Sequence, residues 1–155
     1  MKNRKELFSW LYVVAWMILI FCFSAQNGTE SGELSDHLIV SLLLPVFDFF
    51  HIPLQDIHFI SFLARKTAHM FVYFVLAILA IHALFVSNWF QNALCHYGMA
   101  LLISFLYACT DEWHQHFIPG RHMAFSDVLV DTAGAMLGLL FFFCFKAITQ
   151  KKRRR

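Results

Sequence analysis

Charged residues are scarce in this sequence of 155 residues. Asp, Glu, Lys and Arg together make up 14% of it, whereas an average soluble domain carries about 25%. Hydrophobic residues make up 59%, including 19 phenylalanines, and one domain of this length could not bury so much apolar surface in a soluble core. The composition therefore excludes a disordered chain and indicates a protein that lies in a lipid bilayer.

Several chemical signatures are also missing. None of the four cysteines belongs to a Cys-x-x-Cys pair, so there is no zinc or redox motif, and the cysteines are interpreted as small buried apolar residues. There is no His-Glu-x-x-His motif and no nucleophile elbow. The basic residues at 146–155 follow an apolar segment and are interpreted as a membrane anchor that contacts anionic lipid. Nucleic acid is therefore not an expected partner.

Four apolar windows are long enough to cross a bilayer, which takes about 17–25 residues of helix. They are residues 7–23, 67–86, 93–109 and 128–145. The sequence therefore predicts an all-α polytopic membrane protein, a bundle of four transmembrane helices, in which residues 1–155 form one membrane domain with a basic tail at 146–155. A fifth apolar run, Leu38 to Phe50, is too short and contains Pro45, so it is predicted to be an interfacial or re-entrant helix.

Residues 24–64 contain no lysine or arginine, whereas nine of the 12 Lys and Arg residues lie near the two termini. Cytoplasmic segments of membrane proteins carry an excess of positive charge. We therefore expect both termini to be cytoplasmic and the first loop to face outside. The first span is expected to be retained, because its apolar run at 7–23 exceeds the roughly 7–15 residues of a signal-peptide core.

Polar side chains gather at the predicted outer end of the second span. Arg65, His69 and Tyr73 follow one another at intervals of four residues, which places them on roughly one face of a helix. Lys66, three residues before His69, reaches the same side. Ionisable groups at membrane depth are costly and are functional candidates by default, so this face is predicted to point into the bundle.

The third span ends in a second polar group. It reads Asp111-Glu112-x-x-Gln115-His116, in which Glu112 is spaced to share a helix face with Gln115 or His116. A Pro-Gly pair then leads to Arg121. These residues are predicted to face the polar side of the second span.

The fourth span supplies carboxylates and small residues. Ser126 and Asp127 precede an apolar run and are predicted to cap the helix. Asp131, Gly134 and Gly138 fall on the same face as Asp127, and the Gly-x-x-x-Gly spacing permits close helix packing. The two carboxylates are therefore predicted to point into the bundle.

Together these residues are predicted to line one outward-facing polar pocket. The ligand-binding candidates are Arg65, His69, Glu112, Gln115, Arg121 and Asp127, with Lys66 and Asp131 as second choices. A purely structural ion-pair network is the alternative. No metal and no other cofactor is predicted, although Asp111 with His114, and Glu112 with His116, have the spacing of metal ligands on a helix.

The polar motifs, taken in order, resemble a known family. They are Ser24-Ala25-Gln26, Arg65-Lys66-x-x-His69-x-x-x-Tyr73, Asp111-Glu112-x-x-Gln115, Pro119-Gly120-Arg121, Asp127, and Gly134 with Gly138. Over about residues 8–145 the sequence resembles the VanZ-like family of small bacterial membrane proteins. Two positions depart from the usual family pattern: Val72, where many members carry Glu, and Asp131, where many carry Asn.

The resemblance implies an integral protein of the bacterial cytoplasmic membrane and cell envelope. The founding member of the family is linked to low-level resistance to teicoplanin and other lipid-bearing glycopeptides, without remodelling of the peptidoglycan precursor. Most relatives have no assigned biochemical role, so the resemblance leaves the chemistry open.

Three functions follow from these observations. The favoured hypothesis is a module that binds a polar or anionic headgroup, with the lipid bilayer and a lipid-linked envelope precursor or a lipoglycopeptide as partners. The second is an enzyme acting on a lipid-linked substrate, with Glu112 and His69 as acid and base and with other catalytic residues unassigned. The third is a structural subunit. The sequence does not define the oligomeric state.

Overall fold

The computed structural model describes residues 2–25, 41, 57–121 and 123–153. It contains four long α-helices, named here α1 (Lys2–Ser24), α2 (Ile57–Ser87), α3 (Ala93–Gln115) and α4 (Phe125–Arg153). Each includes a stretch that is long and apolar enough to cross a membrane; the stretches are Asn3–Ser24, Phe62–Ser87, Ala93–Gln115 and Phe125–Lys151. The predicted all-α fold with four transmembrane helices is confirmed.

The helices are longer than the apolar windows that predicted them. α2 begins at Ile57 rather than near Thr67, and α3 continues past Cys109 to Gln115. A helix satisfies its own backbone hydrogen bonds whatever its side chains are, so the polar residues at the end of a span remain helical. The segment 38–50, predicted to be an interfacial or re-entrant helix, lies outside the described residues apart from Ser41.

α2 lies at the centre of the bundle. It contacts each of the other three helices, and α4 packs against it most extensively. A Cβ atom on Gly134 would lie 2.8 Å from the carbonyl carbon of Met70, and one on Gly138 would lie 3.1 Å from that of Phe74. The predicted close packing at these two glycines is therefore confirmed.

Hydrogen bonds from aromatic side chains fix α1 to its neighbours. Trp16 Nε1 donates to the backbone carbonyl of Val72 in α2 at 2.9 Å. The Tyr107 hydroxyl of α3 donates to the backbone carbonyl of Met17. These contacts satisfy polar atoms inside an otherwise apolar bundle, so α1 is held against both α2 and α3.

The outward faces of the helices are apolar. Phe8, Leu106 and Phe141, on three different helices, are each more than half exposed. Such extensive exposed apolar surface is stable only in contact with lipid. Together with the four spans, it identifies the chain as a membrane protein.

Candidate ligand-binding site at the polar end

Charged side chains collect at one end of the bundle, where α1 and α3 finish and α2 and α4 start. We call it the polar end and call its nine charged or amide residues the polar cluster. The polar cluster consists of Arg65, Lys66, His69, Asp111, Glu112, Gln115, Arg121, Asp127 and Asp131. It contains the eight candidates taken from the sequence and Asp111. Asp111 belongs to the polar group that the sequence places at the end of the third span, but it is not among the ligand-binding candidates.

An ion pair joins α2 to α4 at the polar end. Lys66 Nζ contacts Asp127 Oδ1, and about a quarter of each side chain is exposed. The Ser126 hydroxyl donates to the same oxygen at 3.1 Å. The predicted cap is wrong, because α4 already begins at Phe125. Asp127 instead lies in the first turn, where its charge complements the helix dipole.

Three side chains converge deeper in the bundle. His69 Nδ1 lies 3.7 Å from Asp131 Oδ1, and ligand atoms of His69, Asp111 and Asp131 all lie within 4.8 Å of one another. We call these three residues the inner triad. Both Asp131 oxygens and Asp111 Oδ1 are buried and have no hydrogen-bond partner among the described residues. Such buried oxygens are costly unless something binds them.

The remaining oxygen of Asp111 is hydrogen-bonded. Gln115, one turn further along α3, donates from Nε2 to Asp111 Oδ2 at 3.1 Å. The sequence spacing allowed Glu112 to share a helix face with either Gln115 or His116, and Gln115 is the one that is buried beside it. His116 is exposed, because the helix ends at Gln115 and the chain turns away. Gln115 therefore orients the Asp111 carboxylate through Oδ2.

Glu112 connects α3 to the start of α4. Its side chain is fully buried, and Oε2 accepts the backbone N–H of Ala124 at 3.0 Å. Ala124 immediately precedes α4, where backbone N–H groups lack a partner within the helix. Glu112 Oε1 is buried without a hydrogen-bond partner in the described part of the chain. One oxygen thus positions the connection, while the other is available inside the polar cluster.

A tight turn places Arg121. The backbone N–H of Arg121 donates to the carbonyl of Ile118 at 3.1 Å, and Gly120 has a φ of 76°. Pro followed by a residue with positive φ is the pattern of a type II turn, in which glycine avoids the strain of a Cβ atom. The Pro119-Gly120 pair therefore directs Arg121 back to the polar cluster.

Arg121 and Arg65 have no close ion pair with the described residues, since none of those carboxylate oxygens lies within 4.0 Å of either guanidinium. Burial lowers the pKa of Arg121, while the carboxylates of Asp111, Glu112 and Asp127 oppose that shift. Arg65 is near enough to add to the lowering of the Arg121 pKa. Because a guanidinium carries a positive charge and several N–H donors, an anion placed between Arg65 and Arg121 would be stabilised.

Two further residues border the inner triad. Tyr73 is completely buried, and its hydroxyl has no hydrogen-bond partner in the described ranges. The charges of Asp111 and Asp131 are among those that act on it. Ser24, buried at the end of α1, brings its hydroxyl next to Asp111. Tyr73 shares the helical spacing of Arg65 and His69, and this spacing was the signal that could have placed it in the site.

The fold thus brings every candidate residue to the polar end. A sequence model of one family, VanZ/LLP1, matches residues 8–146. The chain belongs to the VanZ/LLP1 family. The match includes the polar cluster, all of α2 and α3 and most of α1 and α4, and it confirms the resemblance drawn from the motifs. Comparisons with curated proteins and with solved structures gave no match.

Proposed function

We propose that this VanZ/LLP1 protein lies in the bacterial cytoplasmic membrane with both termini in the cytoplasm and the polar end outside. The positive charge at the termini and the lack of Lys and Arg in residues 24–64 support this orientation. A reporter fused after residue 45 is expected to be extracytoplasmic, and one fused after Arg155 cytoplasmic. The reverse pattern would exclude an outward-facing site.

At this end the polar cluster binds the anionic headgroup of a lipid-linked envelope molecule. The observation that carries the proposal is the pair of guanidinium groups, Arg65 and Arg121, without a carboxylate within ion-pair distance in the described ranges. Lys66 differs, because Asp127 already neutralises it. Arginine binds phosphate through two parallel hydrogen bonds, so the guanidinium groups of Arg65 and Arg121 suit a lipid phosphate.

The expected consequence for the cell is protection against teicoplanin-type lipoglycopeptides, in keeping with the family link. These antibiotics carry their own lipid and act on lipid-linked precursors in the membrane. A protein that holds such a headgroup, or the antibiotic itself, at the outer surface would reduce the concentration of the drug–target complex. The expectation of protection rests on membership of the family and on the proposed anion-binding site.

The proposal is tested with a polyprenyl phosphate titrated into the purified protein in detergent. Arg121→Ala and Arg65→Ala are each expected to weaken binding about tenfold or more, the effect of losing a charged hydrogen bond. Arg121→Lys keeps the charge but not the two-point geometry, so an intermediate loss is expected. Arg4→Ala is the matched control, because Arg4 is exposed at the opposite end of α1. Equal binding by all four variants would refute the headgroup site.

The enzymatic alternative is examined in the same samples. It needs Glu112 and His69 as acid and base, but one Glu112 oxygen already holds the N–H of Ala124. Mass spectrometry of the lipid after incubation distinguishes the two functions: binding alone leaves the lipid unchanged, whereas catalysis yields a product that Glu112→Gln abolishes. If the variants instead unfold, the polar cluster is structural.

A further inference from the structure

We propose that the inner triad, His69, Asp111 and Asp131, binds a divalent transition-metal cation. This goes beyond the headgroup site and does not depend on it. The sequence pattern alone predicted no metal, because the spacing of Asp111 with His114 and of Glu112 with His116 does not fix a set of ligands. Of these four residues, only Asp111 belongs to the inner triad. The inner triad draws its members from three helices, α2, α3 and α4.

The geometry is close to that of a metal site. The three ligand atoms lie within 4.8 Å of one another. Ligand atoms that share an ion at about 2.0–2.2 Å lie about 3–4 Å apart, so small side-chain rotations would close the site. Imidazole together with two carboxylates suits a first-row transition metal better than Mg²⁺ or Ca²⁺, which take oxygen ligands.

The buried oxygens are the independent sign of a ligand. Asp131 is completely buried, Asp111 is 3% exposed, and three of their four oxygens have no hydrogen-bond partner among the described residues. Two adjacent buried carboxylates are stable only if a cation or protons neutralise them. Lys66 is occupied by Asp127, and His69 balances at most one of the two charges, and only when it is protonated. A dication at the centre of the triad would neutralise both carboxylates.

The surroundings also resemble those of a metal centre. Gln115 donates to Asp111 Oδ2, while Oδ1 has no hydrogen-bond partner among the described residues. A second residue commonly orients a carboxylate ligand in this way. The buried Tyr73 hydroxyl, which has no hydrogen-bond partner in the described part of the chain, lies among the same charges. It could hold a water molecule that completes the coordination of the cation.

The test is a titration of the EDTA-treated protein in detergent with Mn²⁺ and, separately, with Zn²⁺, and with no lipid ligand present. One equivalent of at least one ion is expected to bind. His69→Ala is the principal variant, because His69 is about one-third exposed and its loss leaves the core intact. It and Asp131→Asn are expected to weaken binding at least about tenfold, and Gln115→Ala about tenfold.

Two control variants make the result decisive. His82→Ala removes an exposed histidine of the same helix and is expected to leave metal affinity unchanged. Arg121→Ala, which is expected to weaken headgroup binding about tenfold or more, is not expected to weaken metal binding, so the two proposals can fail separately. Absence of saturable Mn²⁺ and Zn²⁺ binding, or binding that His69→Ala leaves unaltered, would overturn the metal site and indicate that protons neutralise the carboxylates.

Discussion

The carboxylate of Glu112, in the last turn of α3, accepts the backbone N–H of Ala124, the residue just before α4, at 3.0 Å. A buried side chain of one helix thus supplies the hydrogen bond that the start of the next helix lacks. The contact joins the two ends of the segment between α3 and α4, which contains Arg121. It makes Glu112 a positioning residue for the site, whatever the ligand.

The first prediction separates these roles of Glu112. Glu112→Ala leaves the Ala124 N–H without its acceptor and is expected to lower the free energy of unfolding by about 1–3 kcal/mol. Glu112→Gln retains an acceptor oxygen, so a loss below about 1 kcal/mol is expected. Reversible unfolding in detergent measures both, with Thr110→Ala at an exposed site of the same helix as the control. Equal losses for the Ala and Gln variants would argue against the capping contact.

A second prediction concerns the contact between α2 and α4. Gly134→Ala and Gly138→Ala would drive a Cβ atom into the backbone of α2 at Met70 or Phe74, so each is expected to destabilise the protein by about 1–3 kcal/mol. Gly98→Ala is the matched control, because nothing lies within 4 Å of a Cβ at that position. It is expected to stabilise α3 by up to about 1 kcal/mol. The same thermal stability for all three variants would mean that the two helices are not in close contact.

The third prediction addresses the turn before Arg121. Gly120 has a φ of 76°, which costs a residue with a Cβ atom about 1–2 kcal/mol. Gly120→Ala is therefore expected to lower stability by that amount and to weaken polyprenyl phosphate binding, because Arg121 is displaced. Gly120→Asn is expected to be milder, since asparagine tolerates positive φ. If Gly120→Ala changes neither stability nor binding, the turn does not position Arg121.

The fourth prediction concerns the ion pair between Lys66 and Asp127. Both side chains are partly exposed, so a double-mutant cycle with Lys66→Gln and Asp127→Asn is expected to give a coupling of about 0.2–1 kcal/mol. The coupling should fall as salt is added. A coupling that is absent at low salt would show that the pair does not form in solution. Because the pair is weak, neither single variant should abolish folding.

The sequence determined the helices because their main signal is local. A run of apolar residues such as 67–86 specifies a transmembrane helix without reference to the rest of the chain, and the glycine spacing at 134 and 138 specifies a close contact. Even so, the start of α4 was misplaced by the Ser126-Asp127 pair, which has the composition of a cap. Asp127 is engaged by Lys66 of another helix, and nothing in the neighbouring residues reveals that partner.

The pairing inside the polar cluster could not be predicted from the sequence, because the paired residues lie on different helices. Helical periodicity shows which residues share a face, and it correctly aligned Arg65, His69 and Tyr73 on α2. It does not show which faces meet, so Asp111 was considered with His114 on its own helix rather than with Asp131 on α4. The contact of Glu112 with Ala124 depends on a backbone N–H, which leaves no trace in residue type.

The helices α2 and α4 are parallel, and their contacts follow the same order along both. The contacts are Lys66 with Asp127, His69 with Asp131, Met70 with Gly134 and Phe74 with Gly138. This shared register means that sliding either helix by one turn, about 5.4 Å, would break the ion pair, dissolve the inner triad and force side chains into the glycine contacts. We therefore expect α2 and α4 to keep their positions relative to each other. Any movement that admits a ligand is expected to leave the contacts between α2 and α4 unchanged.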